Sequence, residues 1–210
     1  QNNNGDTAFM LAAKKNSKIE IIQYLYNTFK DTINISKQNN YCNTAFTFAT
    51  KNTNVKIIQF MCNMFIDKFN THYANAAFAI AASNTNFEVI TFLYQMYKDT
   101  IDINNKCLVG YTPFSCAVQN TNIEIIQFVY DTFKDKIDIN KQNIKGNSIF
   151  MFAVQNSNVK VVDFVYQKFK DIIDINQQND DGDTTFMLAA SKNINVEVLQ
   201  YLCDTFQGKD

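Results

Sequence analysis

The chain has 210 residues, 46% of them apolar, and a net charge of −1. That is enough apolar material for a buried core, and too even a charge for a nucleic-acid surface, which rests on clustered positive charge. All nineteen basic residues are Lys, so the planar fork best suited to gripping phosphate or carboxylate is missing.

Six units follow one another. They are anchored on Phe9, Phe46, Phe78, Phe114, Phe150 and Phe186, at spacings of 37, 32, 36, 36 and 36. Their approximate bounds are 1–36, 37–69, 70–104, 105–140, 141–176 and 177–210. Each reads as a short helix, a tight turn, a second helix and an extended loop, so the chain is expected to be all-α, one continuous array and part of a longer protein. The first unit carries an extra residue at its inner turn, "KKNSK" (Lys14 to Lys18). Four residues are missing between the second and third units, in "DKFNTHYANAAF", which predicts a short or distorted loop there. In the fourth unit Pro113 suits the first helical position, with Thr112 as its cap. The inner turns fall at Asn16, Asn52, Asn84, Asn120, Asn156 and Asn193; Asn tolerates the left-handed conformation of a helix C-terminus. The second helices open on capping-box pairs, Ser17 with Glu20, Thr85 with Glu88 and Thr121 with Glu124; Lys56 and Lys160 replace the Glu in the second and fifth units. Aromatic columns recur along them. One is Tyr24, Phe60, Phe92, Phe128, Phe164 and Tyr201; another is Phe29, Phe65, Tyr97, Phe133, Phe169 and Phe206. They read as the core shared by neighbouring units.

Four of the six units close on an octet, "FKDKIDIN" (Phe133 to Asn140), "FKDTINIS", "YKDTIDIN" and "FKDIIDIN", and the second and sixth, with "FIDKFNTH" and "FQGKD", break it. It is not a calcium loop. Asp135, Asp138 and Asn140 stand at relative positions 1, 4 and 6, not at the alternating positions, Gly 6 and Glu 12 that a calcium-binding loop needs. The octet reads as a joint. Lys30, Lys98, Lys134 and Lys170 are expected to form a weak charge ladder with Asp31, Asp99, Asp135 and Asp171.

The five cysteines form no C-x-x-C pair, and His72 is the only histidine. They read as reduced thiols of an intracellular, cytoplasmic protein with no metal or cofactor. A Cys42–His72 nucleophile pair has neither a third group nor an oxyanion hole marked by sequence, so no enzyme activity is expected. No apolar run approaches the roughly 20 residues that span a bilayer, so no direct membrane contact is expected.

"GDTAFMLAA" (Gly5 to Ala13), "GYTPFSCAV" (Gly110 to Val118) and "GDTTFMLAA" (Gly182 to Ala190) resemble the ankyrin-repeat signature T-P-L-H-x-A. The resemblance covers essentially the whole chain and implies a solenoid of stacked helix-turn-helix units with hairpin-like loops. The sequence departs from the signature in three ways. Phe stands for its Leu. Its His becomes Met10, Thr47, Ala79, Ser115, Met151 and Met187, where apolar packing is expected to replace hydrogen bonding. The loop Gly is lost at Cys42 and Ala74.

As the resemblance implies, a protein partner would bind the loop tips and the exposed side of the first helices. The chain would then be a non-catalytic interaction scaffold. The tips in the middle of the chain are apolar, at Tyr41, Tyr73, Leu108, Val109, Tyr111 and Ile144, and apolar tips mark contact surfaces. The helix positions are Lys15, Lys51, Gln119 and Gln155. Two other readings stand beside it. One is an assembly element stacked end to end, since "FMLAAKKN" and "FMLAASKN" make the terminal units as apolar as the inner ones, so that further repeats or another chain would cover them. The other is the cytoplasmic ankyrin segment of a larger channel, signalling protein or ubiquitin-ligase adaptor.

Overall fold

A computed structural model describes residues 1–15, 18–52, 54–65, 71–107, 110–192 and 195–206, excepting the side chains of Phe65 and His72. The expected turns at Asn16 and Asn193 and the cap at Ser17 lie outside these residues. The described residues form helices and turns and no strand. They fall into two compact units, 1–101 and 102–210.

The first compact unit holds α1 (Ala8–Lys15), α2 (Ile19–Phe29), α3 (Ala45–Thr50), α4 (Val55–Phe65), α5 (Thr71–Ala82) and α6 (Phe87–Tyr97). The second holds α7 (Pro113–Val118), α8 (Ile123–Phe133), α9 (Ile149–Ala153), α10 (Val159–Phe169), α11 (Thr185–Lys192) and α12 (Val196–Phe206). Each unit is two layers. The first helices pack side by side (α1 on α3 on α5; α7 on α9 on α11), and so do the second helices (α2 on α4 on α6; α8 on α10 on α12). The anchors Phe9, Phe46, Phe78, Phe114 and Phe150 are buried between the layers.

The first helices start where a hydroxyl stands. Thr44, Thr112 and Ser148 each accept the backbone N–H three residues on, at 3.2, 3.2 and 3.3 Å. The bond is returned from the position of the signature His, so apolar packing does not simply replace it. Thr47 Oγ1 and Ser115 Oγ accept the cap's own N–H at 3.4 and 2.9 Å, and the Met151 sulfur does so at 3.4 Å. Oxygen and thioether acceptors thus take over the histidine's place in a capping box.

The second helices are capped one residue later than the sequence reading placed it. The caps are Asn86, Asn122 and Asn158, whose side chains accept the N–H two residues on at 3.0, 3.0 and 3.1 Å. Thr85 and Thr121 are not the caps. The asparagines before them are not left-handed either: among the described residues the only non-glycine with positive φ is Cys42. Asn52, Asn84 and Asn156 instead turn inward and tie neighbouring pairs of helices together. Their Nδ2 groups donate to Ala13 O (2.8 Å), Thr50 O (3.1 Å) and Val118 O (3.0 Å). A carbonyl left over at a helix end thus receives a donor from the next pair.

The core of the second-helix layer is aliphatic. Ile57, Ile58 and Met61, Ile90 and Leu93, Ile125, Ile126 and Val129, and Val161, Val162 and Val165 are all fully buried. The column from Tyr24 to Tyr201 is therefore not core. Tyr24 is exposed and the other five are half-buried along the rim. There Tyr26 meets Phe60 edge-on at 5.7 Å and Tyr130 meets Phe164 at 5.5 Å. Volume explains the split, because a helix 11 residues long has one inward stripe and here the Ile/Val/Leu positions fill it.

The octet is a joint with a stated bond. Asn34, Asp102, Asp138 and Asp174 each accept the N–H two residues on, at 2.9–3.1 Å, closing a turn on their own side chain. Ile35, Ile103 and Ile139 beside them are buried. The expected charge ladder does not form, since its lysines and aspartates are exposed and unbridged; Lys141 pairs with Asp138 at 3.6 Å instead.

Candidate partner-binding face

Five loops share one five-residue finger. In each, the first N–H donates to the fifth carbonyl: Asn2 to Asp6, Asn39 to Asn43, Cys107 to Tyr111, Asn143 to Asn147 and Asn179 to Asp183, at 2.8–3.1 Å. Where the first residue is Asn, its Oδ1 also accepts the N–H groups of the third and fifth. Asn39 takes those of Tyr41 and Asn43, both at 2.9 Å. The fourth residue is left-handed, as Gly5, Gly110, Gly146 and Gly182, or as Cys42 with φ 60°. The loss of Gly at Cys42 therefore leaves the finger intact. Neighbouring fingers pair within a compact unit. Asn40 N–H donates to Asn4 O, and Asp180 N–H to Lys145 O, both at 3.0 Å. Asn39 Nδ2 reaches Asp6 Oδ1 at 2.6 Å, and this bond holds the Asp6 carboxyl below its usual range against the opposing effect of burial.

The third unit has no finger, which corrects the expectation of a distorted one. The chain enters α5 at Thr71 and stays helical to Ala82. The position of the hydroxyl caps is Ala76, and six alanines lie between 74 and 82. With no cap to start a helix there and strong helix formers on both sides, the helix begins a turn earlier. Residues 66–70 lie outside the described set.

The predicted tip residues divide accordingly. Tyr41 and Ile144 stand out at 68% and 67% exposure. Tyr111 is half-buried against Phe152, ring to ring at 5.0 Å. Tyr73 is not a tip; it sits on the first turns of α5, and its hydroxyl donates to Ser36 Oγ at 3.1 Å. Asn75, its neighbour, is buried. Leu108 and Val109 lie outside the described residues. On the first helices, Lys15 and Lys51 are exposed at the ends of α1 and α3. Gln119 and Gln155 fold back on their own helices, donating to Ser115 O at 3.0 Å and Met151 O at 2.8 Å. They line, with Phe152 and Asn156, a cleft of about 250 Å³. Phe48, whose ring lies 4.7 Å from the Lys14 ammonium in the first compact unit, and Phe152 in the second are ring positions that sequence reasoning missed. The signal was present: Phe48 and Phe152 stand two residues after an anchor, on another side of the helix.

Among the described residues no thiol is activated by burial. Burial pushes the Cys62 and Cys107 thiols up to about 11 and Cys116 to about 12, so all three are protonated near neutrality. Cys42 is exposed at the ordinary finger position. Among the described residues no cluster of His, Cys, Asp or Glu has the makings of a metal site, and no helix is long and apolar enough to cross a membrane.

Comparison with known proteins agrees with this architecture. A chain of the solved structure "Bd0816 Predatory Endopeptidase from Bdellovibrio bacteriovorus in complex with immunity protein Bd3460" superposes with a TM-score of 0.62. The match is at 20% identity and covers 94% of this chain and 98% of that one, a likeness of fold. No curated protein matches the sequence. A family model described as "Ankyrin repeats (3 copies)" matches residues 1–72 and 78–177. Paired helices, finger loops and hydroxyl-capped first helices thus recur under a family match over most of the sequence, and the chain belongs to the ankyrin-repeat family.

Proposed function

We propose that this chain is a non-catalytic scaffold that binds a protein partner through its finger tips and the adjoining ends of the first helices. The observation that carries this is the presentation of Tyr41 and Ile144. Each is a large apolar side chain, about two-thirds exposed, on a turn whose backbone is fixed by its own asparagine and by the neighbouring finger. An apolar group held rigidly in water loses little conformational entropy on binding, which favours it as an anchor. Polar groups flank the tips within each compact unit, Lys15 and Lys51 in the first and the amide-lined cleft at Gln119 and Gln155 in the second. The similar solved structure is itself a complex of two proteins, which fits an interaction fold and names no partner for this chain.

Affinity capture with the wild-type chain, Tyr41→Asp/Ile144→Asp and Tyr24→Asp tests the reading. Tyr24 is as exposed as Tyr41 but lies on a second helix. Partners should be lost with the tip variant and kept with Tyr24→Asp; the reverse pattern would refute the proposal.

A further inference from the structure

We propose that the cleft at the C-terminal ends of α7 and α9 takes an arginine side chain of the protein partner, its guanidinium lying on the Phe152 ring and donating to the carboxamide oxygens of Gln119 and Gln155. The inference rests on the reading of the first helices as part of the partner face, and it names the chemistry that one place on that face selects.

The template lies in the first compact unit. Two residues after the anchor phenylalanines stand Leu11, Phe48, Ile80, Cys116, Phe152 and Leu188, so only the second and fifth repeats put a ring there. The residue five after the preceding anchor lies beside that position, because α1 packs on α3 as α7 packs on α9. For Phe48 that residue is Lys14, and its ammonium stands 4.7 Å over the ring. For Phe152 it is Gln119, and among the described residues no lysine stands over that ring. The second ring thus keeps the place of a cation without the cation. A cleft of about 250 Å³ opens there instead, lined by Gln119, Phe152, Gln155 and Asn156. That is room for a side chain rather than for one water, whose share of the liquid is about 30 Å³.

The lining decides which side chain fits. Tyr111 packs against the Phe152 ring at 5.0 Å and a tilt of 41°, which fixes it. The Asn156 carboxamide is committed, donating to Val118 O and Asn120 O and accepting from Asn158 N–H. Gln119 and Gln155 each turn Nε2 back onto their own helix, to Ser115 O at 3.0 Å and Met151 O at 2.8 Å. Their Oε1 atoms are what they offer a newcomer. The cleft therefore presents a ring face and two acceptors. The negative face of a ring attracts a cation and disfavours an anion. A guanidinium suits it better than an ammonium, because it is planar, weakly hydrated and carries N–H groups on several sides that can meet two acceptors at once.

Titration of the isotope-labelled 210-residue chain with N-acetyl-arginine amide tests this, followed by NMR at the side-chain amides of Gln119 and Gln155. Both signals should shift saturably, with a Kd of about 1–10 mM for a single side chain, while Gln127, exposed on α8, stays unmoved. N-acetyl-citrulline amide, which keeps the shape without the charge, and N-acetyl-lysine amide should each bind at least about fivefold more weakly. Gln119→Lys supplies the cation from within, as Lys14 does for Phe48, and should weaken arginine binding at least about tenfold. Phe152→Leu removes the ring and should weaken it about fivefold. Both substitutions install residues that other repeats carry at these positions, Lys14 and Leu188, and an otherwise unchanged backbone spectrum verifies the fold. Signals that do not shift up to about 50 mM overturn the proposal. So does equal binding of the citrulline or lysine amide, or undiminished arginine binding by either variant. The probe binds or fails with no partner present, so this result is independent of whether Tyr41→Asp/Ile144→Asp loses partners.

Discussion

Replacing Asn156 by Ala removes a side chain that joins two helical pairs of the second compact unit. Asn156 is 6% exposed. Its Nδ2 donates to Val118 O at 3.0 Å and Asn120 O at 2.8 Å, and its Oδ1 accepts the Asn158 N–H at 3.0 Å. Each such bond contributes about 1 kcal/mol net, and a buried carbonyl left without a donor costs more. Loss of the three is expected to destabilise by about 3 kcal/mol. In a repeat array stability is a sum of units and neighbour interfaces, so the loss falls on the interface between α7–α8 and α9–α10. At about 2–4 °C per kcal/mol for a chain of this size, the melting midpoint should drop by roughly 6–12 °C. Urea titration followed by far-UV circular dichroism measures the cost directly. Gln127→Ala, at an exposed position of α8, is the reference and should stay within about 0.5 kcal/mol of wild type. A cost for Asn156→Ala no larger than for Gln127→Ala would show that the inward asparagines do not hold the pairs together.

The cap assignment is tested by Asn122→Ala, expected to cost about 1 kcal/mol in the same titration, against Thr121→Ala, expected to be near neutral. Cys42→Gly should raise stability by about 0.5–1 kcal/mol, because relief of a left-handed conformation outweighs the entropy cost of glycine. Alkylation followed by mass spectrometry should label the exposed Cys42 and Cys203 first and the buried Cys62 last. Burial raises the Cys62 and Cys116 thiols to about 11 and 12, above the unfolded value of about 8.5. Their contribution to stability is therefore present below pH ~8.5 and lost as pH rises through the folded values, and thermal melts at increasing alkaline pH should show the decline.

The repeat, the pairing of helices within each unit and the hydroxyl cap at Thr112 were legible because they rest on local, periodic signals; the equivalent caps at Thr44 and Ser148 emerge from the structure. The inward role of Asn52, Asn84 and Asn156 was not, because their donors find carbonyls 34–39 residues away and the asparagines serve two bonds at once. The caps were misplaced by one residue because Thr-Asn offers two competent oxygens in a row and backbone geometry alone chooses the second. The column from Tyr24 to Tyr201 looked like core because aromatics carry most apolar area, and only the other column reaches it, at Phe133 and Phe169; which stripe faces inward is decided by which volume the narrow inter-helix space accepts. The exposed finger-tip placement of Tyr41 and Ile144 was legible from their positions in the repeat. Tyr73 was misassigned because the Ala-rich start of α5 erased the finger that would have carried it.

The central claim is that partners engage the finger tips. Hydrogen-exchange mass spectrometry of the chain alone and with its captured partner tests it most directly. The account predicts new protection at residues 39–43 and 143–147 with the second helices α2, α4, α8 and α10 unchanged. Protection confined to those second helices, with the fingers exchanging as before, would contradict it.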